Sequence, residues 1–206
     1  MSLPQTSPAT LIQEKKQLRK ELRQQRRQLT KLQQRTASTH LLKNLKRFGL
    51  LLRGKHIALY LGNDGEICPR SLLTLIQKWG KTAYLPVIHP LKPQQMIFCQ
   101  VSASSPYIKN RFGIEEPDFK RCKQFNAKQL STVLMPLVAF DSEGNRMGMG
   151  GGFYDRTFDY KRRLPQCKPR LIGLAHELQK MDALPVNDWD VSLDAIVTDQ
   201  GIYAKK

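Results

Sequence analysis

The sequence predicts an α/β fold built on a mostly parallel sheet and preceded by a long basic helix. After Gly54, short apolar runs alternate with turn residues and helical stretches, which is typical of consecutive strand and helix units. Residues 132–140 are apolar almost throughout, as expected for a central strand that is buried on both faces. Before Gly54, leucines recur at helical spacing among many basic residues.

The N-terminal segment is predicted to form one long amphipathic helix. Ser7-Pro8 is typical of an N-cap followed by a first-turn proline, and disorder is expected within residues 1–10. The apolar stripe of the helix consists of Leu11, Leu18, Leu22, Leu29 and Leu32. Its flanks and outer face carry Lys15, Lys16, Arg19, Lys20, Arg23, Arg26 and Arg27. A second helix, over residues 41–48, is expected to stop at Gly49.

The rest of the chain alternates between strands and helices. Strands are predicted at residues 56–61, 82–88, 96–101, 132–140, 171–175 and 195–198. Helices are predicted at residues 67–79 and 153–163. The strand at 132–140 leads into a glycine-rich stretch, so the chain runs from strand to glycine loop to helix.

Size and composition favour one compact cytoplasmic domain spanning residues 1–206, and size favours a monomer. The polar start lacks the charged and apolar regions of a signal peptide, and no apolar run approaches the roughly 18 residues of a membrane span. The four cysteines are irregularly spaced without a Cys-x-x-Cys pair, which favours reduced thiols over zinc or dithiol chemistry. They are Cys68, Cys99, Cys122 and Cys167.

The charge points to anionic ligands. The chain carries 34 Lys and Arg against 17 Asp and Glu, a formal net charge of +17. Residues 11–55 alone hold 14 basic and two acidic residues, so most of the excess belongs to the N-terminal helices. A helix of this kind can neutralise phosphates, and a nucleic-acid-binding protein is therefore an alternative interpretation, although no recognised DNA- or RNA-binding module is present.

A phosphate site is predicted at the glycine loop. Gly148, Gly150, Gly151 and Gly152 remove side chains between a buried strand and a helix, so backbone N–H groups can approach an anion. The Gly-Lys-Ser/Thr ending of a P-loop is missing, and a dinucleotide fingerprint would need glycine at Phe153. A flexible surface turn is the alternative.

Carboxylates and cations flank these glycines. Arg146 and Arg156 bracket the loop, and Asp155 could hold a hard cation or simply favour the start of the helix. Asp190 and Asp194 could add a metal contact or cap a turn. The histidines are scattered and no Gly-x-Ser-x-Gly elbow occurs, so neither zinc-protease nor serine-hydrolase chemistry is indicated. A sugar-phosphate isomerase or acyl transferase with a similar loop would need no ATP.

Four ordered segments resemble the 5-formyltetrahydrofolate cyclo-ligase family. They are residues 15–23 in the basic helix, residues 111–117 beginning Arg111-Phe112-Gly113, the signature Arg-Met-Gly-Met-Gly-Gly-Gly-Phe-Tyr-Asp-Arg at 146–156, and Leu184-Pro185 with residues 190–198. The resemblance implies a three-layer α/β sandwich. It also implies the ATP-dependent cyclisation of 5-formyltetrahydrofolate to 5,10-methenyltetrahydrofolate, with ADP and phosphate released through a phosphorylated formyl intermediate.

The resemblance also implies roles for individual residues. ATP would be bound by Lys15, Arg19, Arg146, Gly148, Met149, Gly150, Gly151, Gly152, Phe153 and Tyr154. The folate substrate would contact Glu66 and the stretch from Met149 to Phe153. Catalysis would involve Arg146 and Tyr154, and Mg²⁺ would be held by Asp155 and Asp190. Met149 and Gly151 stand where certain relatives carry basic side chains, so the phosphate charge must be met by Arg146 and the N-terminal helix.

Overall fold

A computed structural model gives the fold for most of the chain. It describes residues 8–49, 54–92, 94–102, 105–110 and 113–204, with side chains from residue 12 onwards. Ser7, and positions 1–7 of the stretch in which disorder was expected, lie outside these ranges, as do Arg111 and Phe112 of the family resemblance.

The sheet has eight strands and is mixed, with a parallel centre. Its strands are β1 (His56–Ala58), β2 (Thr82–Ile88), β3 (Met96–Val101), β6 (Gln124–Phe125), β7 (Thr132–Pro136), β10 (Arg170–Ala175), β11 (Ala195–Thr198) and β12 (Ile202–Ala204). Their order across the sheet is β12-β11-β10-β7-β1-β2-β3-β6. The five strands from β11 to β2 are parallel, and antiparallel strands flank them. The prediction of an α/β fold around a mostly parallel sheet is confirmed.

Two small hairpins complete the strands. They are formed by β4 (Tyr107–Lys109) with β5 (Glu115–Pro117), and by β8 (Ala139–Phe140) with β9 (Arg146–Met147). The strand predicted over 132–140 therefore breaks after Pro136, where the ladder to β10 ends. Val138 then donates its N–H to the Met147 carbonyl at 2.7 Å, so the chain leaves the main sheet to build the hairpin that leads to the glycine loop.

The helices are α1 (Pro8–Arg27), α2 (Lys31–Arg47), α3 (Arg70–Lys78) and α4 (Phe153–Thr157). The prediction of one helix running through Leu32 is wrong, because the helix ends at Arg27 and residues 28–30 are not helical. Thr30 starts α2 with a capping box: its hydroxyl accepts from the Gln33 N–H, and the Gln33 side chain accepts from the Thr30 N–H. Leu32 is consequently a 74% exposed residue of α2 rather than part of the α1 stripe.

The core consists of two apolar layers on opposite faces of the sheet. One layer packs α2 and α3 on the sheet through Leu41, Leu45, Leu72 and Ile76. On the other face, the short helical segments after the glycine loop contribute Phe158. Successive side chains of β7 point to opposite faces of the sheet and so contribute to both layers. Leu134 belongs to the first layer, while Val133 and Met135 belong to the second. This gives the three-layer arrangement, with α1 lying at one end of the sheet through Leu22.

The expectation of four reduced cysteines is wrong for two of them. Cys99 and Cys122 form a disulfide, with their Cα atoms 5.5 Å apart. The pairing of β3 with β6 places Cys99 opposite Gln124 and so brings Cys122, two residues earlier, next to it. Cys68 and Cys167 are free. Within the described ranges, no helix is long and apolar enough to cross a membrane.

Candidate active site at the glycine loop

Two adjacent cavities open near the carboxyl ends of the parallel strands. From β1 the sheet continues to β2 on one side and to β7 on the other, so the strand order reverses there. Ligands of open α/β sheets bind outside the carboxyl ends of the strands at such a switch point. Tyr60 follows β1 and Leu137 follows β7, and both line one of the cavities.

The glycine loop, residues 148–152, separates the two cavities. Gly150 and Gly152 have φ angles of 96° and 61°, a left-handed region that glycine adopts without steric cost. A Cβ on Gly151 would lie 2.8 Å from the Phe153 ring. Met149 and Gly152 line both cavities, so ligands in the two cavities would meet across this stretch of backbone.

The helix after the glycine loop is much shorter than predicted. Instead of one helix over 153–163, α4 has five residues and is followed by a 3₁₀ turn at Asp159–Arg162. Few peptide dipoles are therefore aligned behind the loop. The positive potential at this site comes mainly from side chains and loop N–H groups.

The first cavity, which we call the polar cavity, has a volume of about 620 Å³. It brings together most residues predicted to bind ATP or metal: Lys15, Arg19, Arg146, Gly148, Met149, Gly150, Gly152, Asp155 and Asp190. Trp189 lies on the same wall and is 64% exposed.

Two cations reach the polar cavity from α1. The Arg19 Nε donates to the Gly148 carbonyl at 2.9 Å, and the Lys15 Nζ lies 3.5 Å from Asp190 Oδ2. Lys15 is buried and Arg19 half-buried, in contrast to the exposed Lys16 between them. The helix face that carries Lys15 and Arg19 therefore belongs to the cavity wall. The ATP-binding role that the family resemblance implies for these two residues stays a prediction.

Arg146 and Asp155 form an ion pair inside the polar cavity. The Arg146 Nη2 donates to Asp155 Oδ1 at 2.8 Å, and its Nη1 donates to the Val191 carbonyl at 2.8 Å. Asp155 Oδ1 also accepts from the Val191 N–H at 3.2 Å, while Asp190 Oδ2 accepts from the Asn187 N–H at 2.8 Å. The segment around residue 190 is thereby fixed against the start of α4.

The second cavity, the apolar cavity, has a volume of about 740 Å³. Its walls are largely hydrophobic and include Leu61, Leu85, Pro86, Ile88, Met96, Ile114, Pro136 and Leu137. Glu66, Gly151, Phe153 and Tyr154 line this cavity and not the polar one, although the family resemblance also assigned Gly151, Phe153 and Tyr154 to ATP. The cavity thus offers a mostly apolar surface, as small-molecule sites commonly do, together with a set of charged and amide side chains. They are Arg23, Arg27, Asn63, Asp64, Glu66, Asn110, Glu115 and Glu116.

Glu66 is a largely buried carboxylate that lines the apolar cavity. Its Oε2 accepts from the Asn63 N–H at 3.1 Å, and its Oε1 lies 3.8 Å from Nη2 of Arg26. Burial raises the pKa of Glu66 to about 7, although the positive charge of Arg26 opposes the rise. Burial and the nearby Glu66 also raise the pKa of Tyr154, which is therefore a neutral phenol able to donate a hydrogen bond.

Three arginines converge on Asp64 beside the apolar cavity. Arg23 donates from Nε at 2.8 Å, Arg26 donates from Nη2 at 2.9 Å, and Arg27 makes a further short contact. Burial alone would raise the pKa of Asp64, but these hydrogen bonds lower it to about 2. The sequence indicated only a loop at 62–65, and the expectation that Arg26 lies on the flanks or outer face of the helix is wrong, because Arg26 has no exposed surface.

A third cavity, of about 710 Å³, shares Asp190 with the polar cavity. It is otherwise lined by residues such as Phe48, Arg163 and Ile172, and Asp194 is the one further candidate from the sequence in the lining that the structure describes. We therefore place the candidate site at the polar and apolar cavities.

The sequence profile of the 5-formyltetrahydrofolate cyclo-ligase family matches residues 11–199. The chain belongs to this family. It is 38% identical over 184 residues to the 5-formyltetrahydrofolate cyclo-ligase of Haemophilus influenzae, covering 88% of this chain and 95% of the relative. It is 34% identical over 182 residues to that of Escherichia coli K12, covering 88% and 98%.

Solved structures of the cyclo-ligase family agree with the fold. The 5,10-methenyltetrahydrofolate synthetase of Aquifex aeolicus superposes with a TM-score of 0.78 at 29% identity and covers 92% of each chain. The synthetase of Mycoplasma pneumoniae gives 0.69 at 26% identity, covering 90% of this chain and 99% of the other. The family resemblance and the assignment to the ligase class are thus confirmed.

Proposed function

We propose that this chain catalyses the ATP-dependent cyclisation of 5-formyltetrahydrofolate to 5,10-methenyltetrahydrofolate, releasing ADP and phosphate. The observation that carries the proposal is the meeting of a polar, cation-lined cavity and an apolar cavity across Met149 and Gly152. A triphosphate suits the first and a reduced folate the second, and the names of the relatives point to the same reaction.

ATP binding is assigned to the polar cavity. Lys15 and Arg19 would approach the phosphates from α1, while loop N–H groups contact them from the opposite side. Arg146 is fixed by Asp155 and Val191 and would stabilise the charge that develops on the transferring phosphoryl group. Cations held in place before the reaction need little reorganisation during it.

Mg²⁺ is assigned to Asp155 and Asp190. Each uses one oxygen for the hydrogen bonds and ion pairs described above, so the second oxygen of each carboxylate can face a cation. Among the described residues there is no cluster of three or more metal-ligating side chains. Two carboxylates nevertheless suit Mg²⁺, which commonly takes one or two together with substrate phosphates and water, and which neutralises phosphate charge when bound.

Folate binding is assigned to the apolar cavity. The Phe153 ring and the aliphatic walls would contact the flat pterin, and Glu66 would accept hydrogen bonds from its N–H groups. Tyr154, held neutral by burial, would donate a hydrogen bond near the reacting carbon. Gly151 and Gly152 line the apolar cavity, so their backbone would lie beside the formyl group where it approaches the polar cavity.

The reaction then proceeds by activation and ring closure. The formyl oxygen attacks the γ-phosphorus and ADP leaves, which converts a poor leaving group into phosphate. N10 attacks the activated carbon, a C–N bond forms and N10 loses its proton. Phosphate then departs with the original formyl oxygen and the methenyl bridge remains. Arg146 would act on the phosphoryl group and Tyr154 on the folate side.

The basic helix favours the enzymatic interpretation over nucleic-acid binding. Lys15, Arg19, Arg23 and Arg26 contact groups at the two cavities instead of extending into solvent. We also propose that the chain acts as one domain and as a monomer. Its cytoplasmic location stays a prediction from the sequence.

The test is to incubate the folded protein with Mg-ATP and 5-formyltetrahydrofolate and follow methenyl absorbance. We expect product only when ATP is present, which also separates this function from an isomerase or acyl transferase that needs no nucleotide. One of the two tryptophans of the chain, Trp189, lines the polar cavity. ATP binding should therefore change the tryptophan fluorescence of the wild-type protein but not that of Trp189→Phe. Absence of ATP-dependent product, with salt-sensitive RNA binding instead, would favour the nucleic-acid alternative.

A further inference from the structure

Arg26 is a fully buried arginine on α1, a helix whose basic residues Lys16, Lys20 and Arg27 are exposed. It has no solvent-accessible surface, whereas the side chain of Arg27 beside it is 53% exposed. Placing a guanidinium in the interior is unfavourable unless its N–H groups meet acceptors and its charge meets a carboxylate. The partners of Arg26 therefore show which segments of the chain its guanidinium holds together.

One guanidinium connects four segments of the chain. The Arg26 Nε donates to the Asp64 carbonyl at 2.7 Å and its Nη1 to the Leu137 carbonyl at 3.3 Å. Its Nη2 bonds Asp64 Oδ2 at 2.9 Å and lies 3.8 Å from Glu66 Oε1 and 4.0 Å from the Met149 sulfur. Arg26 thus joins α1 to the turn after β1, the end of β7 and the glycine loop.

The turn that carries Glu66 is packed directly on this arginine. Asp64 and Gly65 both have left-handed φ angles, 52° and 75°, and Asp is among the few residues other than glycine that tolerate this conformation. A Cβ on Gly65 would lie 2.9 Å from the Arg26 carbonyl oxygen. The Gln34 amide donates to the carbonyls of Arg26 and Gly65, at 3.3 and 3.2 Å. The placement of Glu66 thus depends on contacts made with Arg26.

We propose that Arg26 is a positioning residue that holds the Glu66 carboxylate and the Met149 side chain in one arrangement across the apolar cavity. This inference rests on the proposed function, in which both residues contact folate. Arg23 and Arg27 line the cavity, whereas Arg26 lies behind the wall and acts through its partners.

The charge of Arg26 also favours the ionised form of Glu66. The other polar groups that act on this carboxylate or are affected by it are Arg23, the Asn63 N–H, Asp64, Tyr60 and Tyr154. Burial raises the pKa of Glu66 and Arg26 is the strongest opposing influence. Removal of Arg26 should therefore raise that pKa further, so that Glu66 is protonated at neutral pH and accepts hydrogen bonds less well.

The kinetic test compares Arg26→Met and Arg26→Lys with Arg27→Met. In the wild type, kcat/KM for 5-formyltetrahydrofolate should fall as the pH drops below about 7. This fall is the acidic limb of the pH profile of kcat/KM. Arg26→Met should move the limb up by about one pH unit and lower kcat/KM at neutral pH about tenfold. Arg26→Lys keeps the charge without the planar fork, so it should keep the limb near its wild-type position while lowering the rate. Arg27→Met also loses a contact with Asp64 but should not move the limb.

A second readout does not require activity. The ¹³C-carboxyl resonance of Glu66, identified by its loss in Glu66→Gln, should titrate at higher pH in Arg26→Met than in the wild type. The inference would be overturned if folded variants kept both the wild-type titration of Glu66 and the wild-type acidic limb of kcat/KM. It would also be overturned if the titration of Glu66 shifted while the limb stayed in place. If Arg26→Met does not fold, Arg26→Lys decides, since wild-type kinetics in that variant would exclude a positioning role. A wild-type protein that shows the titration but no cyclo-ligase activity would instead contradict the proposed function.

Discussion

The two cavities share the glycine loop but are built from residues of very different spacing in the sequence. In the polar cavity, Arg146 and Asp155 lie nine positions apart and bond to each other directly. Behind the wall of the apolar cavity, Arg26 meets Leu137 across 111 positions. The first is a local motif to which α1 adds two cations and the segment around residue 190 adds a carboxylate, and the second is an assembly of distant segments held by a buried ion cluster. Changes at the two cavities should therefore have separable effects on the use of ATP and folate.

The largest effect on the polar cavity is expected from Asp155→Asn. This change removes a proposed Mg²⁺ ligand and the charge that fixes Arg146, so kcat/KM for ATP should fall about hundredfold and the half-saturating Mg²⁺ concentration should rise. Asn keeps the shape of Asp, and near-ultraviolet circular dichroism should be unchanged. The matched control is Asp118→Asn, whose carboxylate pairs with Arg121 outside the lining of the polar cavity and should not affect the Mg²⁺ requirement. Wild-type turnover in Asp155→Asn would remove this residue from the metal site.

A smaller and more selective effect is expected from the α1 cations. Lys15→Ala and Arg19→Ala should each raise KM for ATP about tenfold and change KM for folate little, because each removes one charged contact with phosphate. Lys16→Ala, on the exposed face of the same helix, controls for loss of charge. Equal increases in both KM values would point to lost helix packing and would contradict the separation of the two cavities.

The smallest effect should come from the loop backbone. Gly150→Ala and Gly80→Ala both place a side chain at a positive φ without a severe clash, so each should lower the free energy of unfolding by about 1 kcal/mol. Only Gly150→Ala should also raise KM for ATP, by a few-fold, because only Gly150 lies in the polar cavity. The same KM change in Gly80→Ala, measured beside urea unfolding of both variants, would mean that the loop conformation has no specific role.

Much of the fold could be predicted because it follows from local patterns. The bounds of β2, β3 and β11 coincide with the predicted strands, since their apolar runs are bounded by turn residues. The two- and three-residue strands at β4, β5, β6 and β12 are too short to give a periodic signal. The helix break before Thr30 was missed because leucines continue at helical spacing across it.

The candidate site likewise contains some features that the sequence predicts and others that it does not. Residues 146–156 could be assigned from composition and resemblance, because a run of glycines between a strand and a helix has few other uses. The burial of Arg26 could not be predicted, because the sequence pattern of a basic amphipathic helix does not distinguish Arg26 from Arg23 or Arg27. Only the tertiary contacts with Glu66 and the Leu137 carbonyl distinguish Arg26 from the other two, since Asp64 pairs with all three.

The most direct test of the central claim is to follow the oxygen of the formyl group. If ATP in the polar cavity transfers its γ-phosphoryl group to folate in the apolar cavity, substrate labelled with ¹⁸O in the formyl group should give phosphate carrying one ¹⁸O atom per methenyltetrahydrofolate formed. The released phosphate can be analysed by mass spectrometry or by the ³¹P isotope shift. Unlabelled phosphate, with the ¹⁸O recovered in water, would contradict a direct transfer across the glycine loop.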